Sequence, residues 1–459
     1  MKKATRTISG VTPVAVMTKP IKCPGGCIYC PTFKDTPQSY TPESPAVLRG
    51  IKCGYNAQKQ VAIRLKILSD MGHPVDKVEL IIMGGTFLAT PLEYQYEFIK
   101  GCYDALNRQE SDSLNGAQKI NETAAIRCVG LCIETRPDWC GEDEVLRMLE
   151  FGTTRIELGV QTIDEDIYRL VMRGHKTDDV IRATRLLREQ GLKVHYHWMP
   201  GLPGSTPEKD LAMTRELFAN DNYKPDGLKL YPTMVVEGTE LEEWYKDGRY
   251  KPYSKETMVN LITDIKLSVP EYVRISRVLR DIPAKYIVAG LKDSMRDNVK
   301  KRMEEKAIEC KCIRCREYGH RLINDYRIGK PELKRTDYQA SGGREIFLSL
   351  VDSNNTLFGL LRMRMQENPP LKLKSLRGDS FALVRELHIY GQEVAIGDKQ
   401  IEAAQHKGLG KYMLAEAERI AGDEYGVSKI IVLSGVGARQ YYSSEAGYRQ
   451  ESGYMVKEI

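Results

Sequence analysis

Residues 23–30 read Cys23-Pro24-Gly25-Gly26-Cys27-Ile28-Tyr29-Cys30, three thiols at CxxxCxxC spacing on a short loop with two glycines. Three thiolates so placed can hold three irons of a [4Fe–4S] cube and leave the fourth iron open to another ligand. A three-cysteine zinc corner or buried free thiols is the alternative reading. A β-branched run, Val14–Met17, precedes the loop. From there to about Pro232 such runs alternate with longer charged, helix-like stretches: Val78–Met83, Cys128–Glu134, Arg155–Gln161, Val194–Met199 and Leu228–Tyr231. Six βα units predict an α/β architecture, a partial barrel around a parallel sheet, and several strands end in polar or glycine residues that would line a mouth at their C-terminal ends.

The rest of the composition agrees with a multi-domain globular chain. Its 459 residues are too many for one compact core. With 42% hydrophobic and 28% charged residues, disordered, collagenous and disulfide-scaffold classes are excluded. No apolar run is long enough to span a membrane and no apolar stretch follows the first charges, so the chain is expected to be neither secreted nor membrane-inserted. The net charge of +6 permits nucleic-acid binding without demanding it. The 11 cysteines are odd in number, cluster at both ends of the βα region and do not occur beyond Cys315, which suggests metal ligands in a reducing cytoplasm.

The βα rhythm breaks over 293–335, a charged stretch read as a linker or small metal-stapled insert between a 1–292 domain and a 336–459 domain. Within it, Cys310-Lys-Cys312-Ile-Arg-Cys315 with His320 beyond could complete a tetrahedral zinc site, against free or redox-active thiols. A structural zinc would pin this segment. In the last domain, Glu345–Val351, Leu357–Met365 and Phe381–Tyr390 read as antiparallel strands, followed by a helix from about Leu409 to Asp423 and a strand at Lys429–Ser434, an α+β pattern. Gln405-His406-Lys407-Gly408-Leu409-Gly410 opens that helix, where backbone N–H groups could cradle a pyrophosphate.

The cysteine loop and the βα units resemble the radical S-adenosylmethionine (SAM) superfamily. That resemblance implies that SAM chelates the open iron and is cleaved to a 5′-deoxyadenosyl radical, with an electron donor to the cluster. It implies SAM contacts from Gly84, Gly85 and Thr86 after the second strand, and from Glu134, Arg136, Gln161 and Lys229 at later strand ends. Met199-Pro-Gly-Leu-Pro-Gly204 resembles the turn of many such barrels; His195 and His197 before it are read as core polar residues. The last domain resembles the GNAT-type N-acetyltransferases, which implies acetyl-CoA bound by Gln405, Lys407, Gly408, Leu409, Gly410 and Lys411, with Glu386, Leu387, His388 and Ile389 along the acetyl arm. By the same resemblance Glu386 is a candidate base and Tyr441 and Tyr442 candidate catalytic tyrosines, Tyr442 facing the CoA sulfur.

Together with Gln38-Ser39-Tyr40, Asp76-Lys77-Val78-Glu79, Leu228-Lys229-Leu230-Tyr231-Pro232-Thr233 and Arg280-Asp281-Ile282-Pro283, the two sites resemble the Elongator catalytic-subunit family and its single-chain prokaryotic relatives over nearly the whole chain. This implies synthesis of 5-carboxymethyluridine at the tRNA wobble position, Lys77 as an acetyl-CoA contact, and Lys229 among the catalytic residues. The cluster spacing is shorter than in many members and the basic N-terminal extension is nearly absent. Arg274, Arg277, Arg280 and Lys285, joined by Arg6, Lys19 and Lys22, form the expected tRNA surface, with a solvated salt-bridged face as the alternative. Accessory subunits are left open. The competing functions are a protein lysine acetyltransferase with a structural iron–sulfur domain, and an RNA-binding scaffold that holds acetyl-CoA without turnover.

Overall fold

The computed structural model describes residues 7–292, 295–324, 326–376, 380–391 and 408–459. Seven parallel strands make the first sheet: β1 (Thr12–Met17), β2 (Lys77–Met83), β3 (Arg127–Thr135), β4 (Arg155–Gln161), β5 (Lys193–Trp198), β6 (Gly227–Leu230) and β7 (Arg274–Arg277). They pair in chain order, each crossover carrying a helix, from Ala57–Asp70 to Lys255–Ser268. Side-chain acceptors of Asn56, Thr206 and Ser254 cap three of these helices at the third backbone N–H, so the polar residue before each apolar stripe sets where the helix begins. Among the described residues β1 and β7 are not paired, and the barrel is open along that seam.

The sequence predicts six strands, and the seventh is a correction. Arg274-Ile275-Ser276-Arg277 has a single apolar residue, Ile275, turned into the core, so alternation over four residues is too short to distinguish it from a charged face.

The second sheet comprises β8 (Glu332–Ala340), β9 (Gly343–Val351), β10 (Leu357–Gln366), β11 (Phe381–Ile389), β12 (Lys429–Val432), β13 (Arg449–Glu451) and β14 (Tyr454–Glu458), in the order β8-β9-β10-β11-β12-β14-β13. All neighbours are antiparallel except β11 and β12, which pair in parallel at Ala382↔Ile430, Leu383↔Ile431 and Val384↔Val432 and then part. β11 runs on to Ile389 with one side unpaired among the described residues, and the Leu409–Arg419 helix packs across β10 and β11. Strand β8 begins at Glu332 and its exposed, charged sequence gave no signal for a strand.

The stretch read as a linker is docked rather than free. Met295, Val299, Met303, Cys310, Cys312 and Ile313 are buried in the barrel's own core, and Ile313 N–H donates to the Val273 carbonyl. The same core takes in Phe347, Leu360, Phe381, Ile431 and Tyr454 from the second sheet, whose other face packs a separate core around Met413, Leu414 and Tyr442. Close backbone approach completes the contact: a Cβ at Gly435 would stand 2.2 Å from the Val129 carbonyl oxygen, and one at Gly437 would stand 2.5 Å from Arg127 Cβ.

A buried ionic network crosses this junction at the N-terminal end of the barrel strands. Asp226 accepts from Val194 N–H (2.9 Å) and from both Arg385 nitrogens Nη1 (2.9 Å) and Nη2 (2.7 Å). Glu345 pairs with Arg385 (2.9 Å), Arg364 (3.0 Å) and Arg188 (3.1 Å). Burial alone would raise the Asp226 carboxyl, but Arg385, Arg188 and Arg362 hold it well below the usual carboxylate range. An acid depressed in this way stabilises the fold fully above the unfolded value near 4, and that contribution is lost as pH falls through the lower folded value. Asp226→Ala leaves three guanidinium groups without this partner and is expected to cost about 3–5 kcal/mol, read as an earlier denaturant midpoint at pH 7. The variant and the wild type should converge as the pH is taken well below 4.

Candidate active site

Cys23, Cys27 and Cys30 lie on the loop after β1, at the C-terminal end of the barrel. Ile28 N–H donates to the Val171 carbonyl, which fastens the loop to the turn after β4. Each thiol has its own neighbour: Cys23 Sγ lies 3.5 Å from Thr86 Oγ1, Cys27 Sγ accepts from Arg173 Nη1 (3.4 Å), and Cys30 Sγ accepts from Gln38 Nε2 (3.6 Å). Burial would raise the Cys27 thiol, yet Arg173, Tyr29 and Arg136 together bring it below the ordinary value. Burial and the neighbouring Cys27 charge push Cys30 up to about 11. Arg173 was not singled out in the sequence, because nothing local to Val171-Met-Arg-Gly174 points to a thiol 146 residues away.

The expected SAM contacts gather round the same loop. Gly84 has φ +136°, and a Cβ there would stand 1.9 Å from Thr18 Oγ1, so the turn after β2 admits only glycine. Gly85, Thr86, Glu134, Arg136, Gln161 and Lys229 line one cavity with the three cysteines. Arg136 is fixed by Asp138 (2.9 and 2.8 Å) and the Arg173 carbonyl (2.9 Å), while its Nη1 and the Gln161 Oε1 are buried with no partner. A Cβ on Gly25 would stand 2.1 Å from that Nη1. Buried polar atoms left open toward a thiol-lined cavity fit a polar, multiply hydrogen-bonding ligand and an iron–sulfur cluster.

Deeper in the barrel, Lys229 Nζ donates to Glu134 Oε1 (3.1 Å) and pairs with Glu157; Tyr40 O–H donates to Glu134 Oε2 (2.6 Å), and His197 Nε2 lies 3.1 Å from Glu157 Oε2. Burial works against the Lys229 ammonium, but Glu157, Tyr231 and Glu134 raise its pKa well above the free value, which favours the charged form. His197, expected to be a core residue, faces this cavity, as does His195.

The cavity, of about 880 Å³, continues to the N-terminal end of the strands, where Lys77, Arg155 and Lys193 meet Glu386, Leu387, His388, Ile389 and Tyr442 of the second domain. Glu386 sits between Lys193 (3.2 Å) and Arg362 (2.8 Å). Burial opposes its charge, but Lys193, Arg362 and His388 hold the carboxyl well below the usual range, so this candidate base is a weaker proton acceptor than a free glutamate. Gly408, with φ +74°, caps the Leu409–Arg419 helix; a Cβ on Gly410 would stand 3.0 Å from the Tyr441 hydroxyl. Tyr441 packs edge-on against Tyr442, Leu409 joins the second core, and Lys411 pairs with Glu445 (2.6 Å) at the surface. Gln405, Lys407 and Arg6 lie outside the described residues.

The ligand sulfurs of Cys310, Cys312 and Cys315 all lie within 4.8 Å of one another, a spacing suited to a single ion. His320 is not brought to them. It lines the cavity instead, its Nε2 3.5 Å from Glu317, and Lys266 Nζ donates to Cys315 Sγ (3.4 Å) in its place. Of the arginines expected to meet RNA, Arg274 is engaged by the buried Glu317 (2.6 Å), whereas Arg277 and Arg280 line the open seam. Arg277 pairs with Asp281 (2.8 Å), Arg280 bonds Ser39, Lys285 pairs with Glu43, Lys19 lies 4.4 Å over the Tyr94 ring, and Lys22 is exposed.

Residues 20–217 match the model of the radical SAM superfamily and residues 225–305 that of the radical SAM C-terminal domain. The chain is 63% identical over 459 residues, all of both chains, to the tRNA uridine(34) acetyltransferase of Dehalococcoides mccartyi. It is 42% identical to human Elongator complex protein 3, covering 99% of this chain and 85% of that protein. The chain belongs to the Elongator complex protein 3 family. The structure of an archaeal family member, Methanocaldococcus infernus Elp3 without residues 1–46, superimposes with a TM-score of 0.86 at 45% identity, covering 99% of this chain and 100% of that one. The radical SAM domain of this family member implies a [4Fe–4S] cluster and SAM.

Removing the cation beside Cys27 should favour its protonated thiol. In the chain free of iron, Arg173→Met is therefore expected to move the midpoint for alkylation of Cys27 to higher pH, measured by mass spectrometry of the peptide; an unmoved midpoint would show that Arg173 does not tune the thiol.

Proposed function

We propose that this chain modifies the wobble uridine of tRNA, by carboxymethylation at carbon 5 with acetyl-CoA as carbon donor. One observation carries the reading: a single cavity has the three cysteines at one end and the Glu386–Ile389 edge with Tyr442 at the other. The barrel wall between, from Lys77 to Met83, is about 20 Å tall, so groups held at opposite ends can meet without leaving the protein. The names carried by the bacterial and archaeal relatives, tRNA uridine(34) acetyltransferase, support tRNA as the substrate.

When bound, the cluster and SAM would supply a 5′-deoxyadenosyl radical and acetyl-CoA a two-carbon unit. Cys23, Cys27 and Cys30 would hold the cluster, with Arg173 favouring the Cys27 thiolate. Arg136 and Gln161 offer open hydrogen-bonding atoms to SAM. Gly408, Leu409 and Gly410 would cradle the CoA pyrophosphate at a helix N-terminus, with Lys77, Gln405 and Lys407 as further contacts on sequence grounds. Lys229, fixed by two carboxylates, sets a positive charge in mid-cavity. Glu386 acts as an ion-pair partner that shapes the acetyl end, and the buried Tyr442 keeps its proton and can donate to a thioester carbonyl. A zinc ion on Cys310, Cys312 and Cys315 would clip the 293–335 segment to the core. Arg277, Arg280, Lys285, Lys19 and Lys22 supply phosphate contacts along the seam, and a one-electron donor is required.

The test is anaerobic. The chain reconstituted with iron and sulfide is given SAM, reductant, methyl-labelled acetyl-CoA and unmodified tRNA, and nucleosides are analysed by mass spectrometry. Labelled 5-carboxymethyluridine is expected, and its loss in Cys27→Ala and in a Gly408/Gly410 double substitution. A lysine peptide acetylated with no modified nucleoside, even in Cys27→Ala, would replace this reading with a protein acetyltransferase.

A further inference from the structure

Arg314 stands on the short Ile313–Arg316 helix, next to the cysteine triplet, and lines the shared cavity together with His320. Its side chain is half-buried, and its Nε is buried without a hydrogen-bond partner. Among the described residues it makes no ion pair. Two groups favour its charge, the Cys312 thiol and Glu317, whose Oε1 is engaged by Arg274 Nη1 (2.6 Å) and Ser9 Oγ (3.2 Å) and whose Oε2 lies 3.5 Å from His320 Nε2. Arg274 and Arg296 add like charge alongside. By contrast Arg385 has Asp226 and Glu345, Arg362 has Glu386, and Arg316 donates to the Glu271 and Lys311 carbonyls. A partly desolvated cation that makes no ion pair of its own and is turned to a cavity gains from a ligand that supplies one.

We infer that Arg314, with His320 beside it, forms a phosphate-binding site in the cavity wall. The planar fork of guanidinium donors suits two oxygens of one phosphate, and the imidazole adds a further hydrogen-bonding group. Ser9 and Tyr390 line the same cavity, and the phosphodiester beside the modified nucleotide is the expected occupant. The inference rests on the reading of RNA and CoA as substrates, since both bring phosphate to this cavity.

The experiment uses the full chain and its Arg314→Gln and Arg314→Lys variants, with two probes: an unmodified anticodon stem-loop RNA, titrated by anisotropy across a salt series, and CoA, titrated by calorimetry. Arg314→Gln is expected to bind the RNA about tenfold more weakly and to show a salt dependence shallower by about one unit of log–log slope, with CoA affinity unchanged. Arg314→Lys should keep the salt slope and recover only part of the affinity, because it keeps the charge and loses the fork. A tenfold loss for CoA with RNA unaffected would assign the same site to a CoA phosphate. Unchanged binding of both probes would overturn the site. Should Arg314→Gln fail to fold, modification of Arg314 in the wild type by phenylglyoxal decides: protection by RNA or by CoA supports the site, and protection by neither overturns it. A wild-type chain that binds CoA but no RNA would defeat the tRNA reading, and the CoA arm would still settle Arg314.

Discussion

Asp226 has no solvent contact at the start of β6, and the guanidinium groups that surround it come from both halves of the chain: Arg188 from the barrel's fourth crossover helix, Arg362 and Arg385 from the second sheet. A carboxylate in such a place is tolerated only because its partners are fixed, and the partners only because Asp226, Glu345 and Glu386 are there. This mutual dependence sets the angle at which β11 meets the barrel. It thereby places Glu386–Ile389, which pairs with β10 but not with β12, at the barrel rather than at solvent, and the shared cavity follows from that placement.

The network also accounts for the polar character of the barrel interior. Lumen positions of a closed barrel are ordinarily filled with branched apolar side chains. Here Glu79, Arg155, Glu157, His195, His197 and Lys229 occupy them, each with a charged neighbour: Arg155 with Glu79 (2.7 Å) and Lys229 with two glutamates. Paired charges keep a water-accessible passage from collapsing, and they favour polar reactants over apolar ones.

Much of this was legible in the residues. The CxxxCxxC loop, the βα rhythm and the glycine-rich helix start carry their meaning over short spans, so β1 to β6, the cysteine loop and the Gly408–Gly410 turn are read directly. What escaped depends on contacts between residues far apart in sequence. Arg173 reaches Cys27 only after the turn following β4 folds back, and it is Lys266 of the Lys255–Ser268 helix that donates to Cys315, while His320 lines the cavity. Glu386 shows the same dependence. Its position on the strand edge is as the sequence suggests, but its proton affinity is set by Lys193, which belongs to the other domain. The charged 293–335 stretch misled for a related reason: its apolar residues are spaced widely enough among charges to look like a linker, yet Met295, Val299 and Met303 are all buried.

The core shared by the two sheets has a consequence for how such a protein can be divided. Phe347, Phe381, Ile431 and Tyr454 finish the barrel's core, not their own, and Gly435 and Gly437 leave no room for anything but β3 against them. Separating the halves would bare an apolar face on each and strand the charges of Asp226 and Arg385 at the cut. The two sites therefore cannot be assorted as independent modules, one joined to a new partner and the other left behind. They persist as a fused pair because neither half is a finished protein.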